Sequence, residues 1–327
     1  MSFDDAVSTL RAAAEPTRLR ILRLVQDGEF SVTDLTAVLG QSQPRVSRHV
    51  KLLAEAGLIT RLQEGSFVFV RAAPALQAFL AAAFALVDGT DPTFGRDRMR
   101  VRQLRERQAE EAQRYFDRNA ERWDSIRSLH VPEKQVEAAI LKSLDNRRFD
   151  LALDLGTGTG RMIELLAGRS SRVLGLDSNR AMLRYARHRI DTAGLSHCEV
   201  RLGTVYDLPL AEGCADLVVV HQVLHFLENP GAAITEAARV LKPSGMLLIV
   251  DFAPHDLEFL RTEHAFVRLG FARAEMDGWL AAAGLHPDGY VELSHDAQQP
   301  SLTVSLWRAI KSETQTQPLS SRQRVSA

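Results

Sequence analysis

Two groups of residues in this chain have the types and spacing to do chemistry. In LALDLGTGTG, Gly156, Gly158 and Gly160 fall at the end of an apolar strand-like run and the start of a helix-like one. Without side chains there, the backbone can approach a bound group closely, with a helix N-terminus behind it. The dinucleotide pattern GxGxxG asks for Gly or Ala where this chain has Arg161, so the spacing is GxGxG instead. About 20 residues on, RVLGLD ends in Asp177, a carboxylate whose two oxygens suit the paired hydroxyls of a ribose. The second group is SQPRVSRHVKLL, with Ser42, Gln43, Arg45, Ser47, Arg48, His49 and Lys51, and Arg61 further on. Arg can address guanine by two hydrogen bonds, Gln can address adenine, and Lys51 or Arg61 can neutralise phosphate, which is the chemistry of double-stranded DNA recognition.

The elements around each group are legible. Pro16 to Val25 reads as a helix with Leu19, Ile21, Leu22, Leu24 and Val25 on its apolar face, ended by Gly28. Ser31 is placed to cap a second helix that stops at Gly40, and Ser42 to cap a third that has Pro44 in its first turn and stops at Gly57. LITRLQEGSFVFVRA alternates about Gly65 as a β-hairpin does. The result is a helix-turn-helix closed by a wing. ALQAFLAAAFALV is apolar on nearly every side and needs a partner, so it reads as a dimerisation helix. Arg96 to Arg127 is highly charged and reads as an exposed connecting helix. Beyond about Asp150, strands LALDLG, RVLGLD, CEVRL, ADLVVV and MLLIVDF alternate with amphipathic helices, which implies a parallel α/β sheet. GYVELS and SLTVSLW have no helix between them and are expected to pair as an antiparallel edge.

The domain boundaries follow: a winged helix at 1–72, dimerisation and connecting helices at 73–127, a nucleoside-binding α/β domain at 128–310 and a disordered polar tail at 311–327. A length of 327 residues agrees with two cores, and 45% apolar with 25% charged residues is an ordinary globular composition. No run of about 18 apolar residues occurs, so no membrane span is expected, and the acidic opening MSFDDAVSTL lacks the basic start of a signal peptide. A cytoplasmic location is the expectation. Cys198 and Cys214 are the only cysteines, and no CxxC points to a metal. The net charge of −1 leaves any basic face local.

AEPTRLRILRLV, SVTDLTAVLGQSQPRVSRHVKLLAEAGLI and the hairpin resemble the ArsR type of winged-helix regulator, which implies a homodimer whose recognition helices sit about 34 Å apart over an inverted repeat. Many members sense metal through cysteines on the helix that here reads SVTDLTAVL, and this chain has none there. The second half, through GTVYDLPL, ADLVVVHQVLHFLENP and AITEAARVLKPSGMLLIVDF, resembles the class I S-adenosylmethionine-dependent methyltransferases, with a mostly parallel seven-stranded Rossmann-like sheet. That resemblance implies S-adenosylmethionine or S-adenosylhomocysteine as ligand. By it, Asp154 and the loop Gly156, Thr157, Gly158 and Gly160 hold the methionine end, Asp177 and Ser178 the ribose, and Thr204 and Val205 the adenine edge, with His221 and Gln222 lining the sulfonium side. Relatives usually carry an acid at the position of Thr204. Tyr115, Phe116 and Trp123 resemble an aromatic lid, with plain packing as the alternative.

Whether the domain catalyses is open at this point. Methyl transfer needs a positioned nucleophile and at most one general base, for which His221 and His255 are the candidates, the latter within the polar cluster Asp251, His255, Glu258, Glu263 and His264. The motif of exocyclic-amine methylation and the cysteines of arsenite methylation are both absent. The fused halves resemble repressors of methionine-cycle genes that respond to S-adenosylhomocysteine. The alternative is an active small-molecule methyltransferase with an autoregulatory winged helix.

Overall fold

The computed structural model describes residues 2–26, 28–73, 77–85, 87, 91–123, 133–293 and 302–312. The tail from residue 313 and the end of the connecting segment at 124–127 lie outside the described residues.

The N-terminal part runs α1 (Phe3–Ala13), α2 (Pro16–Gln26), β1 (Phe30–Ser31), α3 (Val32–Leu39), α4 (Gln43–Glu55), β2 (Ile59–Glu64) and β3 (Phe67–Ala72). A reciprocal capping box starts α3: the Asp34 amide donates to Ser31 Oγ at 3.0 Å, and the Ser31 amide to Asp34 Oδ2 at 3.0 Å. Gly40 ends it in the left-handed region at φ 65°, a conformation that a Cβ would strain. Ser42 holds the N-cap position of α4 but its side chain makes no capping bond; Pro44 in the first turn supplies the pre-set φ instead. Ile21, Leu22, Leu35, Val46, Leu53 and Leu58 meet in one core. The strands β2 and β3 pair antiparallel from Ile59 opposite Ala72 to Glu64 opposite Phe67, and β1 adds to β3. Helix turn helix and wing are both present.

Next come α5 (Gln77–Ala85) and α6 (Pro92–Asn119), the latter about 42 Å long at 1.5 Å per residue. The helix is mostly exposed, but its charged and polar residues have partners at both ends. Asp97 is 2% exposed and takes Arg20 through two bonds of 2.6 and 2.7 Å, and Arg100 Nη1 donates to the Val38 carbonyl at 3.0 Å. At the far end the Asn179 amide group donates to Gln113 Oε1 at 2.8 Å and Asp117 Oδ1 at 2.9 Å. Charge patterning alone shows a polar face, not what sits on it.

The C-terminal part contains α7 (Glu133–Ser143), β4 (Phe149–Leu155), α8 (Arg161–Ala167), β5 (Ser170–Asp177), α9 (Arg180–Thr192), β6 (Cys198–Leu202), β7 (Ala215–His221) and α10 (Pro230–Val240). It continues through β8 (Leu241–Phe252), α11 (Phe259–Glu263), α12 (Arg273–Ala282), β9 (Leu285–Leu293) and β10 (Val304–Lys311). The seven strands are ordered β6-β5-β4-β7-β8-β10-β9. The first five are parallel, and β10 is antiparallel to both β8 and β9. The expected antiparallel pair is therefore present, but β10 is inside the sheet and β9 forms the edge. Buried apolar layers cover both faces, around Ile140, Ile163 and Leu248 on one and Leu176, Val218 and Ile234 on the other. A parallel sheet covered on both faces leaves its ligand crevice at the carboxyl ends of the strands, where the order reverses.

Candidate functional site

That crevice is a cavity of about 990 Å³. Asp154, Gly156, Thr157, Gly158, Asp177, Ser178, Thr204, Val205, His221 and Gln222 all line it. Gly160 stands just behind, at φ 84°, against the backbone of Ala186. Gly156 has φ 72°, and a Cβ on it would come 2.9 Å from the Val223 Cγ1, so both conformation and space demand glycine. The Asp177 carboxylate accepts from the Gly158 amide at 2.8 Å and the Asn179 amide at 2.7 Å. A carboxylate has about four lone-pair sites, more than its backbone donors use, so acceptor capacity remains for a ligand's hydroxyls. Burial pushes its pKa up, and those amides pull against that rise. Asp154, 1% exposed, accepts Thr157 Oγ1 at 2.5 Å and so holds the glycine loop closed on the strand end. Gln222 turns the chain at φ 55°, its amide bonded to the Val250 carbonyl at 2.7 Å.

Tyr115, Phe116 and Trp123 also line the cavity, with Phe226 and Phe266. Their rings pack edge to face: Phe116 with Trp123 at 5.3 Å and with Phe226 at 5.0 Å. The Tyr115 hydroxyl meets His264 Nδ1 at 3.0 Å, and burial pushes that phenol up to about 12. Of the predicted polar cluster, Asp251 is withdrawn into the core, where Oδ1 holds His225 Nδ1 at 2.7 Å. His255 does not line the cavity; burial, with the charges of His225 and Arg261 nearby, lowers it to about 4. His221 lines the cavity and His255 stands away from it. Among the described residues no group of His, Cys, Asp and Glu is arranged to hold a metal, and no helix is long and apolar enough to cross a membrane.

On α4, Ser42, Gln43, Arg45, Ser47, Arg48 and Lys51 are exposed together, and Arg61 on β2 shares a small cleft with Gln43, Ser47 and Ser66. His49 leaves that face. Its Nδ1 stands 3.5 Å from Glu15 Oε2, half-buried, and burial lowers its pKa.

Sequence reasoning missed the joint between the two halves. Arg268 is 0% exposed and its guanidinium meets Glu64 at 2.5 Å and Glu29 at 2.7 Å on the winged helix, and Glu275 at 3.2 Å. Burial opposes the charge of Arg268, but the carboxylates outweigh it and its pKa ends raised. Arg261 adds a bond to Glu64 at 3.1 Å and lies 4.5 Å over the Phe67 ring. At the wing turn, the Ser66 amide donates to Glu258 Oε1 at 2.6 Å. The same segment is cavity wall: Arg261, Thr262, Ala265, Phe266 and Val267 all line the pocket. Glu64 and Glu29 are 204 and 239 residues from Arg268 in the chain, too remote for any local pattern to signal.

Fold and site together define a winged helix-turn-helix fused to a class I methyltransferase domain. Residues 15–61 match the model of the bacterial regulatory protein arsR family, and residues 153–249 that of a methyltransferase domain. The arsenical resistance operon repressor of Escherichia coli is 40% identical over 82 residues, 25% of this chain and 70% of that one. The chain belongs to the arsR family of regulators. A 37.1 kDa protein of transposon TN4556 from Streptomyces fradiae is 32% identical over 195 residues, 54% of this chain; the chain spans about half (55%) of that relative's length. The solved complex of the Haloferax volcanii Trm112 methyltransferase activator with a methyltransferase matches 61% of this chain and 98% of that one, with TM-score 0.51 and 21% identity, a likeness of fold.

Proposed function

We propose that this protein is a DNA-binding repressor that senses S-adenosylmethionine or S-adenosylhomocysteine and controls genes of the methionine cycle, acting as a homodimer in the cytoplasm. The residues fit the ligand: the glycine loop admits a close-lying group, Asp177 keeps acceptor sites for ribose hydroxyls, and the aromatic wall of Phe116, Trp123 and Phe226 can face a sulfonium or thioether. Asp154 and the loop from Gly156 to Gly160 would hold the methionine end, Ser178 would assist Asp177, and Thr204 with Val205 would meet the adenine edge. Ser42, Gln43, Arg45, Ser47, Arg48, Lys51 and Arg61 would meet operator DNA.

The observation that carries the reading is the shared wall. Arg261, Thr262, Ala265, Phe266 and Val267 face the cavity, while Arg261 and Arg268 grip Glu64 of the wing. A ligand that displaces this wall shifts the wing relative to α4, and the helix α6, tied to Asn179 at one end and Arg20 at the other, gives a second route. A coupling free energy of about 1 to 3 kcal/mol would change operator affinity roughly 5- to 150-fold.

The test is binding of the full chain to its own upstream DNA at fixed salt, titrated separately with the two ligands. A several-fold shift with one of them supports the sensor; no shift with either sinks it. The size of the cavity favours a second reading, an active small-molecule methyltransferase, since about 990 Å³ leaves room beside an S-adenosyl group. Transfer of labelled methyl groups to a cell-extract metabolite would establish it, with His221 as the base that lines the cavity.

A further inference from the structure

At one end the cavity runs beyond Thr204 and Val205 to a junction with the winged helix. Its walls there are Tyr206, Glu228, Asn229 and, from α6, Arg105 and Gln108. Thr204 offers only a hydroxyl, whose Oγ1 accepts from the Tyr206 amide at 3.3 Å, and Asp207, the nearest acid in sequence, is not part of the wall. Glu228 is. Its backbone neighbour Asn229 is pinned twice, donating its amide to the Tyr206 hydroxyl at 3.4 Å and accepting from the Ala232 amide at 3.1 Å as the cap of α10. That fixes the place from which the Glu228 carboxylate reaches into the cavity.

The carboxylate is loosely held. Glu228 Oε2 is 3.5 Å from Arg105 Nε, longer than the roughly 2.7–2.9 Å of a closed charge-assisted hydrogen bond. Arg105 in turn lies 5.6 Å over the Phe30 ring, and a Cβ on Gly28 would stand 3.5 Å from its Nη2. The neighbouring Gln108 donates to Asp34 Oδ1 at 3.3 Å, the carboxylate that caps α3. Burial pushes the Glu228 carboxyl up, Arg105 draws it down, and Asp34 adds to the rise, so the three charges share one field.

Taking the S-adenosyl reading above as its basis, we propose that Glu228 recognises the exocyclic amine of the ligand's purine, in place of the acid missing at Thr204, and that Arg105 carries this event to α3. An ionised carboxylate only accepts hydrogen bonds, so it accepts from a 6-amino group and repels a 6-oxo group. A carboxylate drawn to the amine leaves Arg105, and about one turn along α6 from Arg105 the Gln108 amide holds Asp34 Oδ1 at 3.3 Å. A shift of α6 at Arg105 therefore reaches the capping box of the first helix of the helix-turn-helix through Gln108.

The test uses the full chain and calorimetry with two probes, S-adenosylhomocysteine and its 6-oxo analogue S-inosylhomocysteine. The wild type is expected to prefer the amine by roughly tenfold or more, the scale of a hydrogen bond to a charged group. E228Q, whose amide can face either base, is expected to bring the two affinities within about threefold. Equal binding of both probes by the wild type, or an undiminished preference in E228Q, overturns the assignment while leaving the S-adenosyl reading in place. Binding of neither probe by the wild type overturns both. R105A is expected to keep the preference and to lose most of the ligand's effect on operator affinity; an unchanged effect removes Arg105 as the carrier.

Discussion

Replacing Arg268 by Met removes the cation from a site that holds Glu29, Glu64 and Glu275, all within 3.2 Å of it and all 10% exposed or less. Breaking one buried ion pair costs about 3–5 kcal/mol, because the remaining charge has no compensation. Here burial already pushes the carboxyls of Glu29 and Glu275 up, and Arg268 is the main influence holding them down. In the variant these acids rise further and take up protons, so part of the loss returns as pH falls. The joint between wing and cavity wall should open first, since Arg268 is its centre. Hydrogen exchange of amides in β2, β3 and residues 260–270 is the direct assay, because it reads local opening. At tenfold per 1.4 kcal/mol, the loss predicts exchange faster by about two to three and a half decades at pH 8, and by less at pH 5.5. The ligand's effect on operator binding should fall with it. Exchange within threefold of the wild type, or a loss that is the same at both pH values, would refute the reasoning, because either result means that the three carboxylates do not depend on Arg268.

Asp177→Ala removes the acceptor sites left for ribose hydroxyls and should weaken S-adenosylhomocysteine binding by about 1.5–3 kcal/mol in calorimetry; unchanged affinity refutes the placement of the ligand. Arg45→Ala, at an exposed position on α4, should cost about 1–3 kcal/mol of discrimination at one operator position in competition binding, with ligand affinity intact. His255 is held neutral, lowered to about 4 from an unfolded value of about 6.5. The unfolded chain therefore takes up the proton first, and the stability that this histidine contributes is lost as pH falls from about 6.5 to 4. His255→Gln should flatten that limb of a urea-midpoint profile, and an equally steep limb in the variant would exclude His255 as its source.

The residues that line the crevice at the strand ends were legible in the sequence because they lie at fixed offsets on local elements. Gly156 to Gly160 follow β4 directly, and Asp177 closes β5, so strand pattern and glycine spacing locate both without knowledge of neighbours. The exposed polar face of α4 was legible for the same reason, since helical spacing separates Val46, Val50 and Leu53 from the polar residues between them. His49 marks the limit: on the helix it belongs with the polar set, and only the approach of Glu15 from the N-terminus of α2 turns it inward.

What the sequence by itself determined is the two cores, the strand alternation, the helix cap at Ser31 and the glycines that end helices and shape the loop, all of which are consequences of short-range stereochemistry. What only the tertiary structure decided is how the halves meet. Arg268, Glu29 and Glu64 read as ordinary surface charges in a local window, and become a buried cluster because two domains close on them. Glu228, which no local pattern marks, likewise becomes part of a cavity wall beside Arg105 of α6. Burial and pairing of charge depend on contacts between residues distant in the chain, and no periodicity in the sequence encodes those contacts.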